Sequence, residues 1–229
     1  AYEKQKRDME YDITLSQINP HYLYNVLNTV VYLSAAGKNQ DVVKIVHSLI
    51  YTLHETLKVG DGNVETTIEK ELELTKCYLD IQRYRYPDFF QVEVVCEEDL
   101  KDCLVPKTMI QPLVENAVRH GTQQRIDGGK IELLVCDNGD TMKIIVHDTG
   151  IGMSSEVIKK QRDKFEMYRH ESGNHIPNKE IGIANVARRL WLFYQDAYEL
   201  QIESQENVGT TFVLIVPKML QAENEEGRL

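Results

Sequence analysis

The stretch Gln111-Pro112-Leu113-Val114-Glu115-Asn116-Ala117-Val118-Arg119-His120-Gly121 decides how the rest of the chain is read. It predicts a helix in which Asn116 and His120, four residues apart, share one face, with Glu115 and Arg119 as a neighbouring pair. An amide oxygen can ligate a hard cation, and an imidazole or guanidinium nearby can reach phosphate oxygens. Taken alone, the segment also reads as a surface helix with one ion pair. The glycine-containing loops that follow shift the balance.

Downstream, residues 142–147 alternate as a strand and run into Asp148-Thr149-Gly150-Ile151-Gly152-Met153. A carboxylate at that strand end can accept a hydrogen bond from an exocyclic amine, and the glycines remove side-chain bulk so that a flat base can lie near the backbone. Further on, Ile181-Gly182-Ile183-Ala184-Asn185-Val186-Ala187-Arg188-Arg189-Leu190 places a glycine at a helix start, where free N–H groups favour phosphate. Val208-Gly209-Thr210-Thr211-Phe212 then opens the last strand, where Thr210 is placed to bond a base or the Asp148 carboxylate. Each signal is modest by itself; their order and the elements they occupy are jointly hard to obtain by chance.

Upstream, Gln17-Ile18-Asn19-Pro20-His21-Tyr22-Leu23-Tyr24-Asn25 sets a histidine beside a proline inside a helical, apolar-rich segment. Pro20 either bends a helix near Ser16 or starts a new one capped by Asn19, so His21 falls in an unusual first turn. Residues 2–36 favour helix, and after Gly37-Lys38-Asn39 a second segment repeats apolar residues from Val42 to Leu57 at helical spacing. A lone hairpin cannot bury such wide faces, which predicts pairing of two copies into a four-helix bundle. The break at 60–63 separates a domain at 1–62 from one at 63–219, with a tail at 220–229. The second domain reads as helix 66–86, strands at 91–95, 131–136, 142–147, 199–203 and 211–216, and helices at 105–120 and 183–195. The fold class is therefore a helical hairpin followed by a two-layer α/β sandwich with helices on one face of a mixed sheet. The polar stretch 153–179 is expected to be in part a mobile loop.

A formal charge of −10 in 229 residues argues against a broad nucleic-acid surface, and no direct DNA binding is expected. Cys77, Cys96, Cys103 and Cys136 lack the spacing of a CxxC pair or a disulfide framework, which suits a reducing cytosol. No apolar run is long enough to span a bilayer. The chain opens on Ala1 and enters helix-compatible sequence at once, which predicts a preceding segment outside it.

From Leu15 to Pro217 the chain resembles the sensor histidine kinases of two-component systems, specifically the LytS/YesM-like group, with boxes of the form NPHFLYN and LQPLVENAIKHG. The resemblance implies His21 as phosphoacceptor, Asn116 as the magnesium-binding asparagine, and Asp148 with Gly150 and Gly152 as the adenine loop. Gly182, Asn185 and Arg189 match the second glycine box, and Arg119, His120 and Thr210 join the nucleotide-binding set. It further implies a Bergerat fold shared with gyrase, Hsp90 and MutL ATPases, with 153–179 as the ATP lid. ATP and Mg2+ follow as cofactors, a homodimer and a response regulator as partners, and a cytoplasmic location behind an upstream membrane sensor region outside this chain.

Two positions depart from the pattern: Glu180 replaces a glycine of the second box, and Tyr22 replaces the commoner phenylalanine. A carboxylate beside a triphosphate repels it unless it points away. No Asp or Glu occurs between Asp12 and Asp41 to orient the His21 ring, which makes Glu115, or a carbonyl freed by Pro20, the candidate for that task. Asn25, one turn beyond His21, is the candidate for positioning water in a reverse phosphatase reaction. Two other readings are weighed: a non-catalytic dimeric nucleotide-binding module, supported by Glu180, and a gyrase- or Hsp90-like ATPase. The latter needs an acid four residues before Asn116, where this chain has Pro112.

Overall fold

A computed structural model describes residues 20–57, 65–87, 89–122, 128–170 and 183–220. Gly182, Glu180, Asn19 and the 60–63 boundary lie outside the described residues, as do the side chain of His21 and the segments 1–19 and 221–229. The chain divides into two compact units, one of residues 1–64 with 73–87 and the other of 65–72 with 88–229.

The first unit begins with α1 (Pro20–Ala35) and α2 (Asn39–Leu57). Their junction is a left-handed C-terminal cap. Gly37 has φ +72°, and the Lys38 N–H returns to Leu33 O at 2.9 Å, satisfying a carbonyl that the helix end would leave open. Val26, Leu33, Ile45 and Leu49 form the core with Ile81, and Tyr22 stacks at a tilt on Tyr78 with ring centroids 6.1 Å apart, so the tyrosine at that position retains aromatic packing. Thr29 and Thr52 are tolerated inside helices because their hydroxyls donate back to Asn25 O and Ser48 O, each at 2.8 Å. The outer faces stay apolar: Tyr24, Leu27, Val31 and Tyr32 of α1, and Val43 and Ile50 of α2, are all more than half exposed in the single chain.

The next elements are β1 (Glu65–Thr67), α3 (Ile68–Arg85), β2 (Phe90–Cys96) and β3 (Leu104–Pro106). They are followed by α4 (Gln111–Asn116), β4 (Gly129–Asn138) and β5 (Thr141–Asp148). The chain closes with α5 (Ser155–His170), α6 (Ile183–Tyr194), β6 (Glu199–Gln205) and β7 (Gly209–Pro217). The main sheet has the order β2-β4-β5-β7-β6, with β2 parallel to β4 and the other pairs antiparallel. The register stacks apolar rows on one face: Val135, Ile144, Leu214 and Leu200 in one, and Leu133, Val146, Phe212 and Ile202 in the next. Strand alternation sends every second residue of β5 inward, and the last of the series Met142, Ile144, Val146 is Asp148.

All five predicted strands are present. Two expectations change. The helix expected over 105–120 starts only at Gln111, because Leu104–Pro106 pairs antiparallel with Glu65–Thr67 and Thr108 then turns the chain through a left-handed φ of +60°. The same pairing shortens the helix expected from residue 66, which starts at Ile68, where β-branched Thr66 and Thr67 have been drawn into the strand. Of the stretch 153–179, residues 155–170 form a sixteen-residue helix, α5, anchored by Phe165 at 7% exposure, and 171–179 lie outside the described residues. Its mostly charged composition hides the helical period.

Ile144 lies wholly inside the core, whereas its neighbour Ile145 points to the other face and is half-buried. Ile144→Ala should cost about 2–5 kcal/mol of stability in urea unfolding, and Ile145→Ala distinctly less. Equal losses would contradict the assigned faces.

Candidate functional site

Asp148 ends an apolar row and is 3% exposed. A carboxylate there needs donors, and the loop supplies them: Gly150 N–H donates to Oδ1 at 2.8 Å, and the Thr210 N–H, opposite Asp148 in the ladder, bonds the carboxylate as well. Burial nevertheless dominates and pushes the Asp148 carboxyl up to about 6, against the lowering effect of both amides and of His147. The Thr210 hydroxyl is engaged elsewhere, 2.9 Å from Ser204 Oγ, which also donates to Gly209 O. Thr210 thus serves the carboxylate through its backbone.

The glycines around Asp148 bring separate chain segments into backbone contact. A side chain at Gly150 would collide with the backbone of Gly121, and one at Gly121 with the Asp148 carboxylate. One at Gly152, where φ is +65°, would strike Gln205 O, and one at Gly209 would strike Asp148 O. The sequence assigned the freedom at Gly150 and Gly152 to an incoming base; here that space belongs to the protein itself. Backbone bonds lock the same approach, from Ile151 N to Gly121 O at 3.3 Å and from Asn207 N to Ile151 O at 2.6 Å.

The Gly121 segment leads back to Asn116. The helix is α-helical as far as Asn116 and widens into a π segment over Ala117–Gly121, so the α spacing from Asn116 to His120 does not carry through unchanged. Such widened turns recur at functional positions. Asn116 Nδ2 donates to Pro112 O at 2.8 Å, which leaves Oδ1 as the atom available to a ligand. Glu115 accepts a hydrogen bond from Gln111 Nε2 at 2.8 Å, so Gln111 rather than Arg119 is its bonded partner. Burial raises the Glu115 pKa, with Gln111 and Arg119 opposing. Partial desolvation lowers that of His120, helped by Arg119, which favours a neutral ring. Arg119 and His120 are both exposed.

The second unit thus holds Asn116, Arg119, His120, Asp148, Gly150, Gly152 and Thr210, with Asp148, Gly150, Gly121 and Thr210 in direct contact or hydrogen-bonded. His21 and Asn25 belong to the first unit, in the opening turns of α1. Arg189, placed by sequence in the second glycine box, instead donates Nη1 to Lys107 O at 3.3 Å and Thr108 O at 2.9 Å. Sequence reading missed Ser204 and Glu71, which stand among other polar residues, Glu203 and Gln205 or Glu69 and Lys70, that give no sign of which one is drawn inside.

The profile of the family described as "Histidine kinase" matches residues 9–90, and that of the "Histidine kinase-, DNA gyrase B-, and HSP90-like ATPase" family matches residues 102–220. The chain belongs to the histidine kinases. Among curated relatives, this histidine kinase is 28% identical over 218 residues to the sensor histidine kinase YesM of Bacillus subtilis, covering 92% of this chain and 34% of that protein. It is 30% identical over 218 residues to the sensor histidine kinase/phosphatase LytS of Staphylococcus aureus, covering 95% and 36%. The chain therefore spans about a third of the length of these relatives. A solved histidine kinase domain, from the blue-light activated kinase EL346 of Erythrobacter litoralis, aligns at 15% identity and TM-score 0.47 over 93% of this chain and 96% of that one. The fold is that of the ATPase family: a mixed sheet covered by helices, preceded by a helical hairpin. No helix among the described residues is long and apolar enough to cross a membrane.

Gly150 is not left-handed, so the cost of a side chain there is one of contact alone. Gly150→Ala should destabilise the second unit by about 1–3 kcal/mol through forced separation from Gly121, measured by denaturant unfolding. A neutral effect would mean that the two segments are not held together as described.

Proposed function

We propose that this histidine kinase transfers the terminal phosphoryl group of ATP to His21 and then to an aspartate of a response regulator. The observation that carries the reading is the buried Asp148, held by Gly150 and Thr210 amides directly against the Gly121 end of the Asn116 helix. In this reading Asp148 accepts the exocyclic amine of adenine, while Asn116, Arg119, His120 and Gly182 serve the phosphates. The donor set suits Mg2+: Asn116 Oδ1 is one hard oxygen, and Mg2+ takes few protein ligands beside phosphates and water. Bound Mg2+ supplies charge neutralisation of the phosphates.

His21 attacks as a neutral imidazole, whose unprotonated ring nitrogen carries the lone pair that the transfer needs. Glu115 is the candidate for orienting the ring. The exposed apolar faces of α1 and α2 support a homodimer closed as a four-helix bundle. The name of LytS, which includes phosphatase, supports a reverse reaction with Asn25 positioning water. An ATPase reading is disfavoured because the residue four before Asn116 is Pro112, which offers only its carbonyl, already accepting from Asn116.

Incubation with γ-labelled ATP and Mg2+ should place acid-labile label on the intact chain and none on His21→Ala. Free phosphate from both chains would favour an ATPase, and neither label nor phosphate a non-catalytic module. The raised Asp148 pKa makes a second prediction. Its carboxylate must be ionised to accept the adenine amine, so ADP affinity should weaken as pH falls through about 6, by up to about tenfold per pH unit below it. Asp148→Asn should lose that slope. Titrations from pH 5 to 8 with parallel slopes for both chains would exclude this role.

A further inference from the structure

The turn that precedes the Asn116 helix is gripped from two sides by side chains that the reading above does not use. Glu71, in the first turn of α3, is 2% exposed. Its Oε1 accepts the Thr108 N–H at 2.6 Å, and its Oε2 accepts those of Met109 and Ile110 at 3.0 Å each. From the other side, Arg189 of α6 donates to Lys107 O and Thr108 O. Between them Thr108 adopts φ +60°, a conformation that a β-branched residue holds only when its surroundings impose it.

Ile110 is the N-cap of α4, so Glu71 takes up amides at the very start of the helix that leads to Asn116. A carboxylate buried this deeply is costly: burial raises the Glu71 pKa, and the three amides and the charge of Arg189 oppose that rise. An apolar side chain could seal the same space but could not fix the direction of three N–H groups. Helix α4 is only six residues long and reaches Asn116 at its last position. An error in its entry angle is therefore passed on with little to absorb it.

We propose that Glu71 and Arg189 are positioning residues for the metal–nucleotide site: by clamping the turn 107–110 they set the direction of α4 and so the place of Asn116 Oδ1. This rests on the reading of Asn116 as the ligand of nucleotide-bound Mg2+. The Asp148 carboxylate takes its amides from Gly150 and Thr210, and its loop meets the Asn116 helix only through Gly121, at the end of the π segment and away from the clamp.

The test uses the full chain and a fluorescent ADP, titrated with and without Mg2+, for the wild type, Glu71→Gln, Glu71→Asp and Arg189→Lys, with melting of the ligand-free proteins alongside. The gain in affinity that Mg2+ confers should fall about tenfold or more in Glu71→Gln, and by less in the two milder variants, while the Mg2+-free affinity shifts by less than about twofold. Should Glu71→Gln fail to fold, the two milder variants decide. A loss of the same size with and without Mg2+ reports mere destabilisation and overturns the proposal; so does an unchanged gain in every folded variant, or a wild type without any gain. Labelling of His21 is read separately. A chain whose Mg2+ gain depends on Glu71 but which never labels His21 retains the positioning role and loses the kinase reading.

Discussion

A carboxylate facing the inside of a sheet constrains everything around it. Asp148 continues the inward series of β5, yet it is charged, and removing a charge from water is tolerable only where donors replace the lost solvent. The structure answers with backbone amides from two different segments, Gly150 and Thr210. Because backbone amides are the donors, the segments must come close, and close approach excludes side chains at Gly121, Gly150, Gly152 and Gly209. The opposition is incomplete: burial still raises the carboxyl to about 6.

The same logic governs the Asn116 helix from its other end. Its start is fixed by Glu71 and its end by Gly121, which lies under Asp148 and Gly150. Between the two fixed points the chain is α-helical as far as Asn116 and π-helical beyond it. The widened turn falls where Asn116 gives way to the exposed Arg119 and His120. A short helix pinned at both ends by buried contacts is a stiff mount for Asn116, the residue proposed above to reach Mg2+.

The helical hairpin obeys simpler rules. Its core is apolar and small, its buried threonines satisfy themselves within their own helices, and its loop closes on one left-handed glycine. What remains is an apolar exterior on both helices. That surface is what supports the homodimer proposed above.

The sequence by itself determined the elements whose period is written in side chains: the two long helices and the five strands of the main sheet, with Asp148 at the end of one of those strands. It also marked the histidine kinase boxes. Tertiary structure alone decided the rest. That Leu104–Pro106 is a strand depends on Glu65–Thr67, some forty residues earlier, and a three-residue pairing has no period to detect. That the Thr210 amide serves Asp148 while its hydroxyl goes to Ser204 depends on ladder register. Arg189 sits among residues that look phosphate-directed, yet it binds two carbonyls about eighty positions away; Glu71 looks like any acidic residue of a first helical turn, yet it is buried under the loop that leads to Asn116. Local pattern tells which face a residue occupies, but the donor that meets a buried charge comes from whichever segment the fold brings within about 3 Å.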